Sequence, residues 1–89
     1  MVEKEIVVSN KLGLHARASA KLVQLVQGLQ STVWLIHDGR EVNAKSIMGV
    51  MMLAAGIGTP LILRAEGPDE ALALDAVADL FDRKFDEGA

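Results

Sequence analysis

Apolar and polar positions recur along this chain with two different periods, and the switches between them mark its elements. Lys4-Glu-Ile-Val-Val8 is a short β-branched run halted by Ser9-Asn10-Lys11, which predicts a first strand over 4–8. From Ala16 the period lengthens. Ala18, Leu22, Leu25, Val26 and Leu29 recur at helical spacing, with Arg17, Lys21 and Gln24 on the other side, and Gly28 falls where the helix should stop. Ser31 to His37 is bulky and β-branched, a second strand. Asp38-Gly39 is a hairpin signal that requires positive φ at both residues, so Arg40 to Ala44 is expected to return as a third strand. Ser46 can cap a short apolar helix over 47–53. A turn through Gly56, Gly58, Thr59 and Pro60 then leads into a fourth strand, Leu61 to Ala65. Glu66-Gly67-Pro68 breaks that strand, and Asp69 is expected to cap a last helix. One face of this helix would carry Leu74, Val77, Ala78, Phe81 and Phe85. The acids Asp75, Asp79, Asp82 and Asp86 would take the other, and the tail from Asp86 to Ala89 should fray.

The order β-α-β-β-α-β-α predicts an α+β fold, one antiparallel sheet with helices on one face. The 89 residues leave room for one domain, 1–89, with little space for an enclosed active site, so chemistry is expected at the surface and completed by a partner. Hydrophobic residues make up 51% of the chain, enough for a globular core. Without cysteine there is neither a disulfide framework nor a thiolate metal site, and two histidines without a carboxylate cluster argue against other metals. The N-terminus is acidic and no apolar run approaches membrane-spanning length, so a cytoplasmic protein without membrane insertion is expected.

The net charge of −3 hides an asymmetry, because eight of the acids lie within residues 66–89 and only Arg83 and Lys84 oppose them there. Lys11, Arg17, Lys21 and Lys45 instead lie beside the two stretches that carry candidate chemistry. They are too sparse for nucleic acid, which wants a clustered basic face with stacking aromatics, and suit a small anion or an acidic protein partner better.

The first stretch is Gly13-Leu-His-Ala-Arg-Ala-Ser-Ala20. A histidine just before a helix faces the unpaired N–H groups of the first turn. The helix dipole there opposes positive charge, which suits a neutral imidazole nucleophile. A phosphoryl group on the ring would point its oxygens at the backbone of Ala16, Arg17 and Ala18, and the Arg17 guanidinium could add charge-assisted hydrogen bonds. Gly13 would let the backbone bend into place. Spacing alone also admits an ordinary loop histidine beside a surface arginine. A serine-hydrolase elbow is absent, and His37, beside the hairpin turn, is expected to be a solvated strand-end residue. The second stretch, Asn43 to Leu53, packs too many apolar residues into two turns to bury on one face. Ile47, Met48 and Met51 are therefore expected in an exposed, adaptable contact patch.

Gly13-Leu-His-Ala-Arg17, followed by Lys45-Ser-Ile-Met-Gly-Val-Met-Met-Leu53, resembles the HPr family, the histidine-containing phosphocarriers of the bacterial phosphoenolpyruvate:sugar phosphotransferase system. The resemblance covers essentially the whole chain, including Ala65-Glu-Gly-Pro-Asp-Glu70. It implies an open-faced two-layer sandwich with strand order 1-4-2-3 and three helices on one face, and a monomer without a cofactor. It implies that His15 takes phosphate on Nδ1 from enzyme I and hands it to an EIIA domain, assisted by Arg17, as a carrier and not an enzyme. Docking would fall on Ala20, Lys21, Gln24, Ile47, Met48 and Met51. Ser46 matches a serine phosphorylated by HPr kinase/phosphorylase in many bacteria, where about two negative charges beside the docking patch would block association and not unfold the protein. Asn10-Lys-Leu-Gly13 and Phe85-Asp-Glu87 look somewhat like the nitrogen-related regulatory branch of the family, the alternative reading. One departure stands out: the family usually has proline where this chain has Ala18. That loss should lower stability by about 0.4–1 kcal/mol. It also restores an N–H expected to reach the His15 loop or the phosphate.

Overall fold

A computed structural model describes residues 1–87. Its elements follow the order β1 (Val2–Val7), α1 (Ala16–Gln27), β2 (Thr32–His37), β3 (Arg40–Asn43), α2 (Ile47–Met52), β4 (Pro60–Glu66) and α3 (Glu70–Asp82). The strands form one antiparallel sheet in the order β1-β4-β2-β3. β4 is central, pairing Val2 with its own Ala65 on one side and Val33 with the same residue on the other. The hairpin β2–β3 turns on Asp38 and Gly39 with φ of 51° and 80°, both positive as the dipeptide requires.

Strand alternation decides which face meets the helices. Val33 and Leu35 of β2 and Leu61, Leu63 and Ala65 of β4 point inward and are fully buried, while Trp34, Ile36, Ile62 and Arg64 face the open side. On that open face Arg64 joins three strands, its Nε at 2.6 Å from Glu3 of β1 and Nη1 at 3.0 Å from Glu41 of β3. Against the inner face lie Ala18, Leu22 and Val26 of α1, Val50 of α2 and Ala73, Val77 and Phe81 of α3. Burying each of the larger of these side chains stabilises the fold by about 1.5–3 kcal/mol.

Ser46 caps α2 as expected, its Oγ accepting from the Gly49 N–H at 3.1 Å. Two sequence expectations need correction. Asp69 precedes α3, but its side chain makes no cap bond. It instead accepts from the Gln30 N–H at 3.0 Å and from the Ser31 hydroxyl, tying the α1–β2 loop to the start of α3. Gly28 is the C-cap of α1, where the helix was expected to stop, with an ordinary helical φ of −81°.

The second correction concerns the C-terminal segment. Phe85 does not extend the apolar face of α3, because that helix ends at Asp82. Lys84, Phe85 and Asp86 form a left-handed turn with φ of 56°, 54° and 60°. The turn drives the Phe85 ring into the core, fully buried and edge-on to Phe81 with centroids 4.8 Å apart. Left-handed backbone costs non-glycine residues about 1–2 kcal/mol each, and burial of a phenylalanine offsets a large part of that. Asp86 and Glu87 are consequently held in place and not frayed; Gly88 and Ala89 lie outside the described residues.

Candidate functional site

The β1–α1 connection is built around a close approach of backbones. Gly13 has φ of +64°, and a Cβ there would stand 2.4 Å from the Ala55 carbonyl oxygen and 2.7 Å from Gly56 Cα. Only glycine fits, for two independent reasons. The approach is fixed by the Leu14 N–H donating to Ala55 O at 2.9 Å. Asn10, fully buried, closes the loop from the other side: its own carbonyl accepts from the Gly13 N–H at 3.2 Å and its Nδ2 donates to Gly13 O at 2.8 Å. Asn10 Oδ1 is buried without a hydrogen-bond partner among the described residues.

This loop sets His15 at the N-cap of α1, with extended backbone (φ −72°, ψ 178°) and a side chain that takes no part in capping. The first intrahelical bond is Ser19 N–H to His15 O, 2.9 Å. The N–H groups of Ala16, Arg17 and Ala18 therefore have no acceptor within the helix. The Ala18 side chain is fully buried. Its N–H makes no bond to the His15 loop among the described residues, so that part of the expectation has no support.

The imidazole is about a quarter exposed, and its Nε2 meets the Glu87 carboxylate in a short contact. Glu87 also accepts from Asn10 Nδ2 at 3.2 Å, so one carboxylate bridges the loop and the ring. The hydrogen bond from His15 chiefly, opposed by desolvation and helped by Asn10 and Lys21, holds the Glu87 carboxyl below the usual carboxylate range. Lys21 reinforces the same corner, its Nζ donating to Phe85 O at 2.6 Å. Above these groups lies an open concavity of about 860 Å³ lined by Lys11, Leu12, His15, Ala16, Arg17, Lys21, Asp86 and Glu87. Its basic side chains, and the helix N–H groups that have no acceptor among the described residues, suit an oxyanion.

The structure brings His15, Ala16, Arg17, Ala18 and Lys21 together at one end of α1. Gln24 is exposed one turn beyond Lys21, and Ala20 is half-buried. On α2, Ile47, Met48 and Met51 are exposed by 39%, 66% and 39%, joined by Met52, while Val50 and Leu53 are buried. Helix α2 packs beside α1, and the segment just after it, at Ala55, abuts the Gly13–Leu14 loop. Ser46, the N-cap of α2, lies at the other end of that helix from the Ala55 contact. His37 is half-buried near the hairpin, with Nδ1 at 3.0 Å from Pro60 O. Sequence reasoning missed Asn10 and Glu87. The available signal for Glu87 was Phe85, a large aromatic just past the last full turn of the helix, which must anchor whatever follows it.

No helix among the described residues is long and apolar enough to cross a membrane. The family model "PTS HPr component phosphorylation site" matches residues 2–83. A phosphocarrier protein HPr from Xylella fastidiosa is 56% identical over 87 residues, covering 98% of each chain. A phosphocarrier protein NPr from Shewanella violacea is 38% identical over 88 residues, covering 99% of this chain and 97% of its own. The crystal structure of an HPr from Thermoanaerobacter tengcongensis superposes with a TM-score of 0.94 at 46% identity, covering 98% of each chain. With the sheet order and the His15 loop already described, these matches establish that the chain belongs to the HPr family and is a phosphocarrier of the phosphotransferase system.

Proposed function

We propose that His15 carries the phosphoryl group, on Nδ1, accepting it from phosphorylated enzyme I and passing it to an EIIA domain. The observation that supports this most is the imidazole at the N-cap of α1, unused in capping, beside the exposed Arg17 and three helix N–H groups without an acceptor among the described residues. The Nδ1 lone pair attacks phosphorus as the bond to the donor breaks. The phosphoryl oxygens are then met by the N–H groups of Ala16, Arg17 and Ala18 and by the Arg17 guanidinium. The protein works stoichiometrically within a single domain in the cytoplasm, with no turnover of its own. Partners dock on Ala20, Lys21 and Gln24 of α1 and on Ile47, Met48 and Met51 of α2, where exposed methionines adapt to more than one surface.

Ser46 is the regulatory site of this reading. Phosphate there adds about two negative charges at the edge of the α2 patch and repels acidic partners while leaving the cap of α2 satisfied. The nitrogen-type regulatory branch is a second reading, favoured by the NPr relative, although the HPr relative matches at higher identity. Incubation with phosphoenolpyruvate and enzyme I tests the main proposal. An acid-labile, base-stable label should form and vanish in His15→Ala; an unlabelled wild type refutes it. ATP with HPr kinase/phosphorylase should give an acid-stable label lost in Ser46→Ala. Transfer to a sugar-type or a nitrogen-type EIIA separates the two branches.

A further inference from the structure

The geometry points to Glu87 as a positioning residue for phosphoryl transfer: its carboxylate holds the proton on His15 Nε2, so that Nδ1 presents its lone pair, and then balances the positive charge the ring acquires on phosphorylation. This rests on the reading of His15 as the phosphoryl carrier.

Three observations converge on it. First, the contact is made through Nε2 and not Nδ1. An ionised carboxylate can only accept a hydrogen bond, so Nε2 must donate, and a neutral ring then has its lone pair on Nδ1. Secondly, the carboxylate is itself oriented. Asn10 Nδ2, which anchors the Gly13 carbonyl, also donates to Glu87 Oε1, so the loop that positions the ring positions its partner. Thirdly, a strained segment delivers it. Three consecutive residues with positive φ, the buried Phe85 ring and the Lys21–Phe85 hydrogen bond turn the chain back after α3 and aim Glu87 at the imidazole. Such outliers persist only where the surroundings over-determine them. The arrangement resembles nucleophile sites in which a third group orients an imidazole.

The charge balance gives the contact a role beyond orientation. Attack by Nδ1 forms the N–P bond while the bond between phosphorus and the donor breaks, its electron pair leaving with the donor. The proton stays on Nε2, so the phosphorylated ring is an imidazolium. At a helix N-terminus that cation is opposed by the dipole, and the groups facing it include Lys11, Arg17 and Lys21. Glu87 is the carboxylate in contact with Nε2, whereas Asp86 lines the same concavity and is paired with Arg83. Keeping the proton on Nε2 also keeps the group transferable, because the ring then departs as a neutral imidazole.

Nitrogen-15 NMR of the His15 ring and phosphorus-31 NMR of the phosphorylated protein, applied to wild type, Glu87→Ala and Glu87→Gln, provide the test. In wild type the ring should be chiefly the Nε2–H tautomer. Glu87→Ala should mix the tautomers and slow phosphorylation by enzyme I about tenfold. Glu87→Gln, which keeps an acceptor and loses the charge, should retain the tautomer and still slow phosphorylation by enzyme I. An unchanged tautomer in Glu87→Ala overturns the proposal, even if the rate falls, because a merely structural tie would lower the rate alone. Failure of wild type to take label refutes the carrier reading instead, and the ring spectrum of the unphosphorylated protein still decides whether Glu87 sets the tautomer.

Discussion

Gly13→Ala should be the most damaging single-methyl addition in the His15 loop. The added Cβ would lie 2.4 Å from Ala55 O and 2.7 Å from Gly56 Cα, both backbone atoms that cannot swing aside as a side chain would. Two costs combine. The left-handed φ of +64° costs an alanine about 1–2 kcal/mol. Relieving the overlap requires the Ala55 carbonyl to retreat, which breaks its 2.9 Å bond from the Leu14 N–H. Leu14 is buried, so losing that bond costs about 1–3 kcal/mol for the stranded donor. The total is about 2–5 kcal/mol, which for a domain of this size lowers Tm by roughly 10–30 °C. Thermal unfolding followed by circular dichroism measures it, with Gly58→Ala as the internal control. Gly58 also has positive φ, +86°, but nothing lies within 4 Å of its added Cβ. It should therefore show the conformational cost without the collision. Equal destabilisation of the two variants would refute the claim that the Gly13–Ala55 approach is rigid.

Other outcomes follow from the same geometry. Phe85→Ala empties a fully buried site against Phe81 and should cost about 3–5 kcal/mol, read by urea denaturation; a near-neutral result would mean the left-handed turn is not anchored by that ring. Asp69 carries a carboxyl held below its ordinary value, chiefly by the Ser31 hydroxyl and then by the Gln30 N–H. Its folded pKa is depressed, so its contribution is fully present above the ordinary aspartate value of about 3.9 and is lost as pH falls through the lower folded value. Asp69→Asn should lower the urea midpoint at pH 7 and flatten its decline on acidification; an unaltered acid limb would contradict this. Ser46→Asp keeps an N-cap oxygen for Gly49 and adds charge at the positive end of α2, so Tm should hold within a few degrees while enzyme I binds more weakly, measurable by calorimetry. Ser46→Ala should instead cost about 0.5–2 kcal/mol.

Much of this architecture was legible in residue pattern alone. The hairpin at Asp38-Gly39 and the serine cap of α2 are local signals, each completed within four residues, and both appear as expected. The alternation that buries Leu61 and Leu63 but not Ile62 is equally local. What could not be seen was set by contacts between distant segments. Asp69 looks like a cap because caps are near in sequence, yet its carboxylate is taken by Gln30 and Ser31 from another loop. Phe85 fits a helical spacing by number, and tertiary burial instead bends the chain left-handed to seat it. Glu87 was indistinguishable from a solvated tail acid, because its partners His15 and Asn10 lie 72 and 77 residues away. The approach of Ala55 to Gly13 has no signature in either stretch, although the glycine itself marked a backbone constraint.

The left-handed turn at 84–86 has a consequence for biosynthesis. Residues 10–17 leave the ribosome early and form a loop whose acidic partner has yet to be made. The central strand β4, on which both β1 and β2 depend, also arrives late. A nascent chain therefore carries a histidine without its carboxylate and an edge strand without its neighbour. If Glu87 governs the proton on that ring, the carrier becomes fully competent only once residues 85–87 have emerged and folded back, so the last-made turn of the described chain completes a site begun at its start.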